Sequence, residues 1–347
     1  MKKLKFTLLL LTVGLTLSSC NKALKKYEGS FLFLFNTVTE VIGYAKDEAA
    51  FKEFATFIHD EMETYHKLYD IYNSYEGINN IKTINDNAGI QPVQVDQKII
   101  DLLKFSVEAY ELSKGRVNIG MGAVLKIWHD YRTQGIDDPL NAKLPPMELL
   151  IEAKQHTDLN NLVIDESNST VYLKDSKMSL DVGAIAKGYA VERVVQAAKE
   201  KGYTDFLLSV GGNVRAVGAK GKEKLSWNVG IQNPDKSSEQ TSLYTLALKD
   251  MSLVSSGNYE RYYTVDGKIY HHIIDPDTLM PAEYFTAISI VCEDSGLADA
   301  LSTAIYCMPF DEGIALIESL DGIEALWVFP DKTMKYSSGF ESFIKQQ

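Results

Sequence analysis

The sequence predicts an α+β fold in which largely antiparallel sheets are flanked by helices. Three observations carry that prediction. Apolar residues recur at helical spacing over residues 47–72 and again over 96–112. Beyond residue 162 the pattern changes to short apolar and β-branched runs separated by Gly, Asn and Asp. No repeat, coiled coil or low-complexity linker breaks either region, so residues 30–347 read as one large domain or two closely joined lobes.

Taken in order, residues 1–19 read as a processed leader. Lys2, Lys3 and Lys5 precede an apolar stretch, residues 6–17, that is too short for a stable transmembrane anchor. It closes on Leu17-Ser18-Ser19-Cys20, which resembles a bacterial lipobox and implies cleavage before Cys20 and lipidation of its thiol. An ordinary secretory signal is the alternative. Residues 20–29 are expected as a polar, lipid-anchored tether, which places the chain outside the cytoplasmic membrane, on the outer face or in the periplasm.

Residues 31–42 read as a strand. A helix is expected over 47–72, with Phe51, Phe54, Ile58, Met62, Tyr65 and Leu68 on one face. A second covers 96–112, with Asp96 as its N-cap and Gly115 just past its end, and Pro145-Pro146 opens a third that runs to 155. Residues 162–164 and 170–173 form a hairpin, and a helix over 184–201 stops at Gly202. Strands follow at 206–210, 214–217, 227–232, 243–248 and 262–265, the last joined through the Asp266-Gly267 turn to 268–274. A strand over 287–292, helices over 295–307 and 311–319, and a strand pair at 325–329 and 333–336 complete the chain.

The formal charge is −12, or −15 without the leader and its three lysines. A field of that sign does not draw the chain to nucleic acid or anionic lipid. Cys292 and Cys307 lack a CxxC spacing and a neighbouring His, so they read as core residues or one disulfide rather than a metal site. No Ser-His-Asp order or HExxH is present, which argues against hydrolase triads and zinc enzymes.

Two stretches carry chemistry. Residues 181–193, DVGAIAKGYAVER, form a small-residue turn that opens into a helix. Gly183 and Gly188 permit close approach to the backbone, the helix N-terminus favours an anion, and Lys187 can meet a diphosphate as a point charge. An ordinary strand-to-helix turn with a surface lysine is the structural alternative. Residues 297–303, LADALST, put Asp299 and Thr303 on one face of a helix that is apolar nearly all round. A carboxylate there must be paired or bound to a cation, and carboxylate, hydroxyl and carbonyl oxygens suit Mg²⁺ or Ca²⁺ rather than zinc. The alternative is an Asp that caps a neighbouring loop and a Thr bonded to its own helix. Gly211-Gly212-Asn213 marks a sharp strand end, and His272, ahead of Asp275-Pro276, can serve as base or ring contact.

Together these blocks resemble the FAD:protein FMN transferase family, the ApbE-like flavin-trafficking lipoproteins. Phe35-Asn36-Thr37 stands where that family has Met-Gly-Thr, and residues 115–120 (GRVNIG) where it has Gly-Ala-Phe-Asp-Pro-Thr. Residues 181–192 match its Asp-x-Gly-Gly-Ile-Ala-Lys-Gly-Tyr-Ala-x-Asp signature. Residues 209–218, 229–234, 255–262 (SSGNYERY), 272–276 (HIIDP) and 297–303 follow in order across nearly the whole mature chain. The resemblance implies an ApbE-like fold of two closely joined lobes with the flavin site between them. It implies Mg²⁺-dependent transfer of the FMN moiety of FAD to a threonine hydroxyl, with release of AMP. The acceptor it implies is a flavoprotein of membrane or extracytoplasmic electron transport, modified in trans.

By position, the resemblance makes Asp299, Thr303 and the carbonyl of Ala184 metal ligands. Phe35, Arg116, Val117, Asn118, Asp181, Lys187 and His272 become FAD contacts, and His272 or Asp299 takes the proton from the acceptor threonine. Asn118 replaces a family Asp, which puts adenine or ribose contacts there in doubt. Asn36, Ala184 and Leu279 replace family glycines, while Asp299, Thr303 and Lys187 are retained. Two other readings stand beside this one: a Mg²⁺-dependent FAD pyrophosphatase in which water replaces threonine, and a flavin-binding lipoprotein without catalysis.

Overall fold

The computed structural model describes residues 24–346; the leader and Cys20 lie outside them. Strand β1 (Lys25–Leu32) pairs antiparallel with β2 (Val38–Ala45) along its whole length. Residues 25–29, expected as a tether, are therefore strand, and the single strand expected over 31–42 is two strands joined by a tight turn. The turn is made by Phe33, Phe35 and Asn36, whose φ values of 77°, 51° and 54° are left-handed. No Gly or Pro marks it, so an apolar pattern reads straight through.

Helix α1 (Glu48–Tyr69) is capped by Asp47, which accepts from Ala50 N–H at 2.9 Å, and buries the expected stripe from Phe51 to Leu68. It ends three residues before Tyr72. There the Asp70 carboxylate collects the N–H groups of Tyr72 and Asn73 and the Tyr75 hydroxyl, which turns the chain out of the helix. Helix α2 (Ile81–Asp86) and β3 (Val93–Gln94) precede α3 (Gln97–Leu112), which Asp96 caps through Lys98 N–H at 2.8 Å. Helix α4 (Gly122–Asp137) was not expected. Its buried positions are Gly122, Val124, Trp128 and Gly135, and two glycines among four leave no apolar stripe to read. Helix α5 (Met147–Lys154) and the hairpin β4 (Leu162–Asp165)–β5 (Thr170–Leu173) follow.

Helix α6 (Ala186–Glu200) leads into β6 (Phe206–Val210), β7 (Asn213–Val217), β8 (Trp227–Gln232) and β9 (Ser242–Leu248). Strand β10 (Ser252–Gly257) lies in the middle of the main sheet, although Ser252, Ser255 and Ser256 hide it from an apolarity pattern. Partner hydroxyls satisfy two of them: Ser289 meets Ser255 and Ser302 meets Ser256, each at 2.8 Å. The hairpin β11 (Tyr262–Val265)–β12 (Lys268–His271), β13 (Ala287–Cys292), α7 (Ser295–Tyr306), α8 (Phe310–Glu318), β14 (Glu324–Val328) and β15 (Met334–Tyr336) complete the body.

The main sheet has eight strands in the order β1-β2-β6-β7-β10-β13-β14-β15, every pair antiparallel. Side chains alternate across it. Leu208, Val254, Ile288 and Ile290 face the principal core beneath the helices. Leu207, Ala216, Leu253, Val291 and Leu326 face a second core roofed by the β8–β9 hairpin. A third core, in a smaller lobe, joins α4, α5 and the β11–β12 hairpin through Val124, Trp128, Leu150, Tyr263 and Leu279. Cys292 and Cys307 are buried and free. Among the described residues no helix is long and apolar enough to cross a membrane.

Helices α6 and α7 cross at closest range where Gly188 faces α7. A Cβ on Gly188 would sit 2.3 Å from the Ser295 carbonyl oxygen and 2.5 Å from Asp299 Cβ, and one on Gly296 only 3.1 Å from Tyr189 Cα. On an exposed helix Gly→Ala stabilises by about 1 kcal/mol. Here overpacking against backbone reverses the sign, so Gly188→Ala lowers unfolding free energy by about 1–3 kcal/mol. Urea denaturation of the variant checks this; an unchanged or raised midpoint contradicts it.

Candidate active site

The α6–α7 crossing carries the first group of site residues. Asp299 is buried among apolar neighbours on α7, and its Oδ2 accepts the Gly188 N–H at 2.7 Å. A regular helix would send that N–H to the carbonyl of Ala184. Among the described residues no backbone N–H donates to the Ala184 carbonyl, which is left free of its helical partner. Lys187, one residue earlier on α6, donates from Nζ to Asn213 Oδ1 at 2.8 Å. Asn213 is fully buried at the start of β7, and its Nδ2, turned toward Asp299, finds no partner at hydrogen-bonding geometry. Thr303, one turn along α7, is half-buried and its hydroxyl makes no hydrogen bond. Burial raises the Asp299 carboxyl above the usual range, and the Lys187 charge only partly offsets it. The structural alternative for Asp299 is thus half met, since it does serve a neighbouring N–H; that for Thr303 is not.

The second group lies where the smaller lobe meets the main body. His272, directly after β12, sets its Nδ1 3.2 Å from the Arg261 carbonyl. A carbonyl only accepts, so Nδ1 carries the proton and Nε2 keeps a free lone pair. Burial, with the charges of Arg261 and Arg132, holds this imidazole down to about 3. Asp181 sits in the turn before α6, with Oδ1 accepting Gly183 N–H at 2.9 Å. Burial raises it, against the opposing charges of His129, Arg132 and Arg261. Tyr72 stacks near His129, ring centroids 5.4 Å apart.

Residues 35–327 match the model of the ApbE family. The chain belongs to that family. It is 35% identical over 278 residues to the FAD:protein FMN transferase of Treponema pallidum, covering 76% of this chain and 75% of that one. It is 26% identical to a Klebsiella pneumoniae protein of the same name, over 81% and 87% of the two chains. The ApbE protein from Thermotoga maritima superposes with a TM-score of 0.81 at 28% identity, over 93% of this chain and 100% of that one. The flavin transferase ApbE from Vibrio cholerae shares the fold, with a TM-score of 0.74 at 19% identity over 92% and 100%.

Other positions singled out by the ApbE resemblance take different places. Arg116 pairs with Asp277 at 2.5 Å and Asp275 at 3.5 Å, and so ties its turn to the one after His272. Val117 is buried in the principal core. Asn118 holds Thr157 O and Gly120 N–H through its two amide atoms, at 3.0 and 2.7 Å. The side chains of 116 and 118 are thus engaged in holding the fold. Phe35 is half-buried in the left-handed turn, its N–H donating to His66 Nδ1 at 3.3 Å, and Thr37 packs on Gly211 beside Asn213. Tyr72, His129, Arg132 and Arg261 join the site although none was singled out, and Asn213 joins it from a turn read only as a sharp strand end. Arg261 lies inside SSGNYERY and Asn213 ends the Gly-Gly turn, so both had a signal; Arg132 sits on the helix that the pattern does not show.

Oxygen donors at Asp299, Thr303 and Ala184 fit a hard divalent cation. They form a set that needs substrate oxygens to complete it, for among the described residues no three His, Cys, Asp or Glu converge on a metal site.

Four histidines, His66, His129, His271 and His272, are held below their ordinary value by burial. His271 is locked neutral, with Nε2 2.9 Å from the Ala282 carbonyl and Nδ1 accepting Ile273 N–H. The unfolded chain takes protons near pH 6.5 that the folded chain refuses. This stability is full above pH 6.5 and falls as pH drops below it. Asp299 works in the opposite sense: its raised carboxyl favours folding only when protonated, so ionisation at neutral pH opposes folding. Urea midpoints therefore fall from pH 7.5 to 5.5, and Asp299→Asn has a higher midpoint than wild type at pH 7.5. A flat pH series or a destabilised Asp299→Asn contradicts this.

Proposed function

We propose that this chain transfers the FMN moiety of FAD to a threonine hydroxyl of an acceptor flavoprotein and releases AMP, with Mg²⁺ required. The convergence of Asp299, the freed Ala184 carbonyl, the Thr303 hydroxyl and Lys187 around one crossing of helices carries the reading. The names of the ApbE relatives support the same reaction class. A divalent cation held by Asp299, Thr303 and the Ala184 carbonyl would neutralise diphosphate charge as AMP departs. Lys187 adds a positive charge at that end, held in place by Asn213.

The threonine oxygen bonds to the flavin-side phosphorus, the phosphoanhydride bond breaks, and its bridging oxygen leaves on AMP. The hydroxyl proton goes to His272, whose Nε2 already carries a free lone pair; a buried Asp299 engaged with Gly188 is the poorer acceptor. Asp181 and Phe35 belong to this proposal as further FAD contacts. The leader, lipidation at Cys20 and an extracytoplasmic, membrane-tethered location belong to this proposal. So does an acceptor in membrane electron transport.

The deciding experiment incubates the protein with FAD, MgCl₂ and a candidate acceptor and follows AMP release and acceptor mass. The expected result is covalent FMN on threonine with one AMP per adduct, and Asp299→Ala slows it roughly 10²-fold or more. Fast FMN and AMP release without acceptor identifies a pyrophosphatase instead. Unchanged FAD binding and turnover in Asp299→Ala removes the cation from the account.

A further inference from the structure

The chain has five arginines. Three are ion-paired: Arg116 with Asp275 and Asp277, Arg193 with Asp294, and Arg215 with Glu192. The other two, Arg132 on α4 and Arg261 just before β11, meet no carboxylate within ion-pair distance among the described residues. Both stand at the candidate site. The charge of each is felt at Asp181, Tyr72 and His272, and each acts on the other. Arg132 donates only to His129 Nδ1, at 3.0 Å, and Arg261 offers its carbonyl to both the N–H and Nδ1 of His272. Two like charges with no ion pair, faced only by Asp181, whose carboxyl burial raises, in a chain of net charge −12, leave room for an anionic ligand.

We propose that Arg132 and Arg261 form a phosphate-recognising wall on the smaller lobe, which receives the anionic groups of the substrate and positions them against His272. This rests on the flavin-dinucleotide reading and adds to it. Lys187 and Asp299 serve the diphosphate from the main body, and the arginine pair serves it from the opposite lobe. The planar forks of the two guanidiniums suit paired phosphate oxygens. Until the ligand arrives, the same charges keep His272 unprotonated, and an anion between them removes that restraint. The charged and titratable groups around the imidazole are Arg261, Arg132 and His271, with Asp181, His129 and Tyr72 in the same cluster.

The test measures binding of FAD, FMN, AMP, inorganic phosphate and riboflavin to the full-length protein, together with AMP release from FAD in the presence of MgCl₂ and the candidate acceptor, for wild type, Arg132→Gln, Arg132→Lys, Arg261→Gln and Arg261→Lys. Arg261 is exposed, so its variants keep the fold even where those of Arg132 weaken it. The Gln variants are expected to lose roughly 10- to 100-fold in FAD affinity while riboflavin, which has no phosphate, binds as in wild type. A loss shared with AMP assigns the pair to the adenylate phosphate; one shared with FMN assigns it to the flavin phosphate. Loss for inorganic phosphate alone overturns the proposal. The Lys variants recover part of the affinity.

The acid limb of the kcat/KM profile moves to higher pH in Arg261→Gln, because His272 takes up a proton more easily without that charge. Equal losses for riboflavin and FAD, or no loss for either, overturn the inference, as does an unmoved acid limb. A wild type that binds FAD and, with MgCl₂ and the candidate acceptor present, releases no AMP from it sinks the transferase reading alone. Wild-type turnover with unaffected arginine variants sinks this inference alone.

Discussion

At Gly188 the α6–α7 crossing has no space for a methyl group, and the placing of Asp299, Lys187 and the Ala184 carbonyl follows from that contact. The closeness lets the Gly188 N–H reach Asp299 on the other helix, which takes it from Ala184 and frees a carbonyl. It also sets Lys187 on the face that meets Asn213. One turn further on, Glu192 repeats the logic with a full charge. Its Oε2 accepts from Arg215 Nε and from Ser295 N–H, each at 3.1 Å, and so pins α6, β7 and the start of α7 to one buried point. Such a pair adds little net stability once desolvation is counted, but removing one partner strands the other. Its value here is registry: it fixes which residues of two helices face each other.

The site is otherwise left electrostatically incomplete. Asp299 is buried with a lysine charge nearby and one amide donor, and Asn213 Nδ2 is idle. Arg132 and Arg261 repel each other and both act on His272. Each of these costs the folded chain stability, and on the proposed reading each would be relieved by a ligand of matching sign: a dication at the carboxylate, an anion at the arginines. A metal-bound diphosphate presents both at once. The stability of the folded chain and its capacity to bind are therefore set against each other at the same atoms.

Much of this was legible in the sequence where one residue type does one job. The stripe of α1, the cap at Asp96, the strands over 206–210, 227–232 and 287–292, and the i, i+4 pair on α7 all follow from period and chemistry. What escaped does its job through backbone or through partners far along the chain. Helix α4 packs with glycines where a stripe would show leucines, and Arg132 was hidden with it. Strand β10 carries serines whose partners are on β13 and α7. The turn at Phe33–Asn36 needs three left-handed residues that no local rule assigns to Phe. Asn213 is decisive only once α6 and α7 are known to stand on either side of it.

The departures from the family pattern point the same way. Asn36 and Leu279 stand where the ApbE family has glycine, and both keep left-handed backbones, with φ of 54° and 62°. For Asn that conformation is nearly free; for Leu it costs on the order of 1 kcal/mol. Leu279 is held there because its N–H donates to Asp275 O at 2.8 Å and its carbonyl accepts from Trp128 at 2.9 Å, while its side chain is buried in the smaller lobe's core. Burying a leucine side chain contributes about 1.5–3 kcal/mol, more than the strain. The position therefore demands a backbone shape rather than a glycine, and this chain meets the demand with packing. The Asp275 turn that results is the one to which Arg116 is tied, and it follows His272 directly. In this chain the lobe's core, rather than the backbone freedom of a glycine, holds that turn.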